Sequence, residues 1–559
     1  MEHARKELEE RVTAFELWKP KLTTLAPEDI LPIADAHADL TMRISKIYRY
    51  AHLRFSENTK DQEAAAGYTS ALNFITAIGN RRLFLDQWVK DLPDDIAQRL
   101  INASGFHRHY FELIRMRKPY MLGESEEKIV NLKNANGFEA LNKVYAIITS
   151  AFTYPVQGQQ LTRDELTIKC KDPSPAIREE AYRALHDKHR ACRDVLGEIY
   201  RAIVTDWREE HVTLRKQAQP IHARNLMNDL PNEAVEAVIR VTERNFPIFH
   251  RFFALKKKKL GIQNFTRYDI YAPISAKPHA VQYDEAVSLI SESFKSFSPT
   301  LEHHAMEMFR QQHVHARIQP NKRTGAFCSF PGTDMLPYVH VNYAGNVHDA
   351  RTLAHEIGHA VHFILASKQS PLTTMPGLPI AETASTFAET VFSDYLMKQQ
   401  PERGEELLFR QLDDAYLNIV RQIGFVKFEL EAHELIKQGK TLDELDKAYI
   451  KGLRGNVGPS VHVDDMFGSE WYGIPHIYQA PFYCYSYPFG MLLAYSLYER
   501  FRKEGQNAVP GILEFFAAGG SESAVGIARK VGADITSDEF WQQGFDFLDG
   551  TLKYLEAKN

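Results

Sequence analysis

Apolar residues recur at helical spacing along almost the whole chain. From Glu2 to about Ala151 the pattern predicts long amphipathic helices with few breakers, clearest over Ala64–Trp88 and Ile96–Met116. Tyr154–Gln160 (YPVQGQQ) interrupts the pattern and predicts a boundary, which divides the chain into an N-terminal helical region, residues 1–155, and a second region, residues 156–559. Dense Arg/Glu pairing over Ala176–Gln217 predicts a solvated helix face. Gly325–Phe330 (GAFCSF) and Tyr338–Tyr343 (YVHVNY) are short, aromatic or β-branched, and separated by Pro and Gly. They predict two strands of a small sheet. Helices resume near Asp349, and the Gly-rich stretch Gly452–Pro475 predicts a mobile loop. The expected fold is mainly α with one small β-sheet.

Composition changes that picture by removing classes. The 559 residues are 44% hydrophobic and 25% charged, which excludes a disordered chain and a disulfide scaffold. A net charge of −5 gives no reason to expect a nucleic-acid partner. The opening MEHARKELEERVTAFELW reads as a charged amphipathic helix and not a signal peptide, and no apolar run is long enough to span a membrane. Cys170, Cys192, Cys328 and Cys484 form no metal-type or redox-type pair, as expected in a reducing compartment. A cytoplasmic protein without a membrane partner is expected; the oligomeric state is not read. The unusual count is His, at 23, which raises the question of clustering.

The histidines cluster at 355–359, HEIGH, an HExxH motif. His355 and His359 lie about 40° apart around a helix, so both rings can face one metal, and Glu356 is close enough to serve a water on it. The motif opens an amphipathic helix from about Asp349 through Leu365, with Leu353, Ile357, Val361 and Ile364 on its apolar side. Asp349 suits the exposed amides at the helix start. Gly358 costs such a helix about 1 kcal/mol relative to Ala, which predicts a close backbone neighbour or a tolerated accident. His433–Lys437 (HELIK) lacks the second His.

Catalytic zinc needs a third protein ligand and an open position. His362 and Leu365 exclude the metzincin spacing, and His362 lies about 10 Å along the axis from His355, too far to share its metal. The better candidates are downstream, in IAETASTFAE (380–389). Glu382 and Glu389 share a helix face among Ala and Phe residues, where a carboxylate needs a cation or a donor. Glu382 is read as the third ligand and Glu389 as the acceptor for a ligand His. The bland alternative is two surface glutamates.

HEIGHAVH followed by AETASTFAE resembles the M3 family of zinc oligopeptidases, the oligoendopeptidase F branch most, with thimet oligopeptidase and dipeptidyl carboxypeptidase as more distant relatives. Lys322–Cys328 (KRTGAFC), Asp349–His362 (DARTLAHEIGHAVH) and His476–Tyr487 (HIYQAPFYCYSY) resemble further family segments. The resemblance implies a zinc-dependent endopeptidase of short unfolded peptides, with two helical regions enclosing a deep substrate channel. It implies one Zn²⁺ per chain on His355, His359 and Glu382, with Glu356 as general base and then proton donor to the leaving amine. It places a His and two Tyr around the substrate, taken as His476, Tyr483 and Tyr487; Tyr485 could replace either Tyr, and all three could be core packing instead. Gly325, Ala326 and Phe327 are read as an edge strand for the peptide backbone, or as a simple bend. His462, Asp464 and Asp465 read as solvated loop residues, and His303, His304, His313 and His315 as surface. Peptidyl-dipeptidase or carboxypeptidase action, and a non-catalytic peptide-binding protein, remain the alternative functions.

Overall fold

The computed structural model describes residues 1–275, 279–323 and 325–559. The chain divides into two compact units, each collected from separate stretches. Unit 1 comprises Met1–Lys118, Pro278–Pro401 and Leu497–Asp534; unit 2 comprises Pro119–Lys277, Glu402–Ser496 and Ile535–Asn559. The expectation of a mainly α fold holds. Among the described residues no helix is long and apolar enough to cross a membrane. All four cysteines are free thiols.

In unit 1 the N-terminal periodicity becomes the helices Glu2–Glu16, Leu31–Glu57 and Gln62–Asp91. Their apolar stripes meet in a core of Leu8, Val12, Phe15, Leu40, Ile78 and Leu85. Asp61 caps the third of these, its side chain accepting from the amides of Glu63 and Ala64. The HExxH helix runs Val347–Ala366, two residues longer at its start than expected, because Asn346 and not Asp349 is its cap. The Asn346 side chain accepts from the Asp349 amide at 3.1 Å. The Asp349 carboxylate turns back to the Ala344 amide, at 2.7 Å. Helix Leu378–Gln399 packs along it, with Gly358 at the crossing.

The small sheet belongs to the same unit. Strands β3 (Val314–His315), β4 (Phe327–Ser329) and β5 (Tyr338–His340) lie in the order β3-β5-β4. β5 runs parallel to β3 and antiparallel to β4, with Cys328 opposite Val339. β4 and β5 fall within the two expected runs, whereas β3 has only two residues and leaves no alternation to read. Phe330, next to β4, stacks on Phe363 of the HExxH helix, ring centroids 5.0 Å apart.

In unit 2 the interruption at Tyr154–Gln160 is a tight antiparallel hairpin, β1 (Tyr154–Val156) with β2 (Gln159–Leu161). Ala176–Gln217 is more than a solvated face. Its helices Pro175–Ala191 and Arg193–Arg208 bury Arg178, Tyr182, Leu196, Tyr200 and Ile203. Gly452–Pro475 corrects an expectation. Gly452 and Gly455 lie inside the helix Leu442–Val457, and Asp465–Gly473 is a 3₁₀ helix whose residues Met466–Tyr472 are all buried. Trp471, Tyr472 and Phe467 supply apolar surface that outweighs the glycines' backbone freedom.

Candidate metal centre and substrate segment

Three donors converge in unit 1. His355 and His359, one turn apart on the HExxH helix, both aim Nε2 at one oxygen of Glu382, Oε2, at 3.4 and 3.3 Å. The three donor atoms lie within 4.8 Å of one another. A charge-assisted N–H···O bond is about 2.7–2.9 Å long, so these separations are long for direct hydrogen bonds. Two ligands about 2.1 Å from a single tetrahedral ion stand about 3.4 Å apart. The donor set thus fits zinc in spacing as well as in chemistry.

Around that set the carboxylates are held from behind. Glu389 sits two turns after Glu382 and accepts from His355 Nδ1 at 3.1 Å, which leaves Nε2 as the free lone pair. Arg351, one turn before His355, forms an ion pair with the other oxygen of Glu389. Burial alone would raise Glu389, but Arg351 and His355 outweigh it and bring its pKa down to about 2. Glu382 is likewise pulled far below the usual carboxylate range, against its burial, by the two imidazoles. The Ser385 hydroxyl donates to Glu382 Oε2 at 3.0 Å. Sequence reasoning missed Arg351; its signal was an Arg four residues before the first His, hence on the same helix face.

Glu356 is different in kind. It is 6% exposed, its Oε2 is covered and has no hydrogen-bond partner, and burial raises its pKa above the ordinary carboxylate value. A carboxyl so placed holds a proton more readily than one in water. His362 lies in the core instead, its ring parallel to Phe363 and near Phe516.

β4 is an edge strand of its sheet, so its outer backbone row is unpaired within it. Gly325 and Ala326 precede the strand and Phe327 begins it. Gly325 has φ +82°, and a Cβ there would meet nothing within 4 Å. Its need is for a left-handed backbone, not close approach.

The His/Tyr-rich segment belongs to unit 2. Tyr487 Oη and His476 Nε2 are 3.2 Å apart. Tyr483 stacks parallel to His476, and Tyr483 and Tyr487 meet edge to face at 5.4 Å. All three are partly exposed. Tyr485 departs from expectation. It is fully buried, and its hydroxyl accepts from Asn228 Nδ2 at 2.8 Å, which takes it out of reach of a substrate. In the 3₁₀ turn Tyr483–Tyr485 residues two apart point about 120° apart, so Tyr485 faces away from the surface that Tyr483 occupies.

The other histidine groups sort themselves. Asp464 caps the Met466 amide, Asp465 pairs with Arg454, and His462 joins neither in a donor group. His303 and His304, expected as scattered surface residues, do come within 4.8 Å of Glu307 as possible donors. All three stand on one helix, Pro299–Arg310, and Glu307 also accepts from Gln311.

Comparison with known proteins adds an independent line. The family model described as Peptidase family M3 matches residues 168–547, and the one described as Oligopeptidase F matches residues 88–154. Oligopeptidase PepF of Bacillus subtilis is 26% identical, over 95% of this chain and 81% of its own length. A protein of known structure from Chlamydophila abortus superposes with a TM-score of 0.86 at 23% identity, covering 99% of this chain and 96% of its own. Oligoendopeptidase-F from Enterococcus faecium does so with a TM-score of 0.74 at 20% identity, covering 100% and 98%. Because the first family model spans well over half of the sequence, including both helices that carry the converging donors, the chain belongs to peptidase family M3 and is a metalloendopeptidase.

Proposed function

We propose that this enzyme is a zinc-dependent oligoendopeptidase that cuts short, unfolded peptides. The observation that carries this reading is the convergence of His355 Nε2 and His359 Nε2 on Glu382 Oε2 at tetrahedral-edge spacing. Zinc held by these three residues supplies Lewis acidity, to a water and to the scissile carbonyl.

The chain's own residues do the remaining work. Glu389, itself held by Arg351, keeps the His355 proton on Nδ1 and its Nε2 lone pair available. Glu356 accepts the proton of the attacking water on its carboxylate and returns it to the leaving amine; burial suits it to both halves of that transfer. Tyr487, with its hydroxyl beside His476, is assigned as donor to the oxyanion that develops on the carbonyl oxygen. Tyr483 and His476 flank the substrate. The outer edge of β4 takes the peptide as an added strand, which gives affinity through backbone hydrogen bonds and little side-chain selectivity. The relatives named oligopeptidase and oligoendopeptidase support short peptides as the substrate class.

Metal analysis of the purified enzyme together with mass-spectrometric mapping of cuts in a mixed peptide library tests the proposal. Stoichiometric zinc and internal cuts confined to short peptides are expected. A fully folded enzyme that cleaves without zinc would overturn it.

A further inference from the structure

A cavity of about 240 Å³ lies within unit 2, with Tyr182, His189, Tyr271, Arg421, Glu470 and Ile474 among the residues on its wall. Its charge does not balance. Arg267 and Arg421 both donate to the same oxygen of Glu470, Oε1, at 2.7 and 2.9 Å. The other oxygen accepts from the Tyr449 hydroxyl at 2.9 Å. Among the strongest electrostatic neighbours of the two guanidiniums, Glu470 is the one carboxylate. The nearby acids are already matched one to one, Asp413 with Lys256 and Asp269 with Arg178. A fully buried cation, Arg267, and a half-buried one, Arg421, therefore share one anion, and an uncompensated charge away from water is costly.

Wall residues also carry unmet donors. Nε of Arg421 and the hydroxyl of Tyr271 are covered and have no hydrogen-bond partner, and the same holds for Nε of Arg267, which stands behind the wall on the same Glu470. His189, 3% exposed, has an unpartnered Nδ1. Exposed Arg163 and Lys171 add positive charge to the lining, and Glu470 is its one acid. Positive charge in excess, with donors unsatisfied and acceptors spent, is the complement of a small anion.

We propose that this cavity is a binding site for one small monovalent anion, a halide or a small carboxylate, held by Arg421 and Tyr271. The site has a route to the substrate segment. Ile474 is on its wall, His476 follows two residues later, and Arg421 acts electrostatically on His476. An anion beside Arg421 offsets that positive charge and favours protonation of His476. This second effect rests on the substrate role given to His476 above.

Crystals of the full chain grown in sodium bromide should show an anomalous peak in the cavity beside the side chains of Arg421 and Tyr271. The melting temperature should rise in chloride or formate over gluconate at equal ionic strength. Tyr271→Phe should weaken that rise, and Arg421→Gln should abolish it. A response to formate alone assigns the carboxylate class, and one to chloride as well assigns the halide. Water only in the cavity, with equal melting temperatures in all three salts, would overturn the site. Bound bromide with a pH–activity profile that ignores it would overturn the link to His476 and leave the site itself standing.

Discussion

A Cβ built on Gly358 falls 2.6 Å from the Cβ of Ala388 and 2.8 Å from the Cα of Ser385. Gly358 lies between the two zinc-type histidines, and Ser385 and Ala388 lie between Glu382 and Glu389. This contact therefore sets the spacing of the two helices that bring the donors together. Gly358→Ala should gain about 1 kcal/mol of helix propensity and lose more than that, about 1–3 kcal/mol, to overpacking. Urea denaturation should show a lower midpoint, and zinc should be lost to a weaker chelator than in the parent enzyme. An unchanged midpoint would mean that the helices separate freely.

Glu356→Gln retains size and burial and removes the proton acceptor. Peptide cleavage should fall by about 10²–10⁴-fold in kcat while zinc content stays stoichiometric. Steady-state kinetics and metal analysis on the same preparation check both halves; full turnover with zinc in place would remove Glu356 from the mechanism.

Glu389→Gln leaves an oxygen for His355 Nδ1 but strips the Arg351 ion pair. Zinc affinity should fall about 10–100-fold, the usual loss when the partner of a ligand His is weakened. Competition with a chromogenic chelator measures this, and Arg351→Met should follow in the same direction.

The two tyrosines separate cleanly. Tyr487→Phe should cost about 3 kcal/mol in transition-state binding, read as kcat/KM with KM little changed. Tyr485→Phe should leave kcat alone and lower stability by about 1 kcal/mol, since only its bond with Asn228 is lost.

Acid should act through Glu470. Burial by itself would raise this carboxyl, yet Arg267 and Arg421 outweigh it and bring it from 4.5 to about 2. A folded-state value below the unfolded one gives stability that is present above pH 4.5 and lost as pH falls toward 2. Urea midpoints measured across that window should drop in the parent, and Glu470→Gln should flatten part of the slope.

How legible all this was in the sequence depended on distance along the chain. The donors His355, His359 and Glu382, with Glu389 behind them, sit on two consecutive helices, so helical spacing paired the histidines and the glutamates, and the apolar neighbours and the family resemblance joined the two pairs. Gly358 signalled a close neighbour through its cost to the helix, with a tolerated accident left as the alternative. Arg351 was visible in principle, one turn away, but a charged side chain before a motif reads as solvated until its partner is known. Tyr485 could not be separated from Tyr487, because a 3₁₀ turn and an α-helix turn side chains by different angles. Gly452–Pro475 misled because its glycines were weighed above Phe467, Trp471 and Tyr472, whose burial decides the matter. β3 was too short to leave a pattern. The division of the chain into units drawn from alternating stretches leaves no mark in local composition at all.

That interleaving has a consequence for synthesis on the ribosome. Every donor of the proposed zinc site, and Glu389 and Arg351 behind them, has been translated by residue 389. The helix Val509–Ala518, whose Phe516 packs on His362 and Phe387, and the turn at Gly519 that fits against Thr374 and Ala366 have not. A nascent chain thus carries the proposed ligand set over a hundred residues before the wall behind it exists, and firm capture of metal waits for the synthesis of that wall.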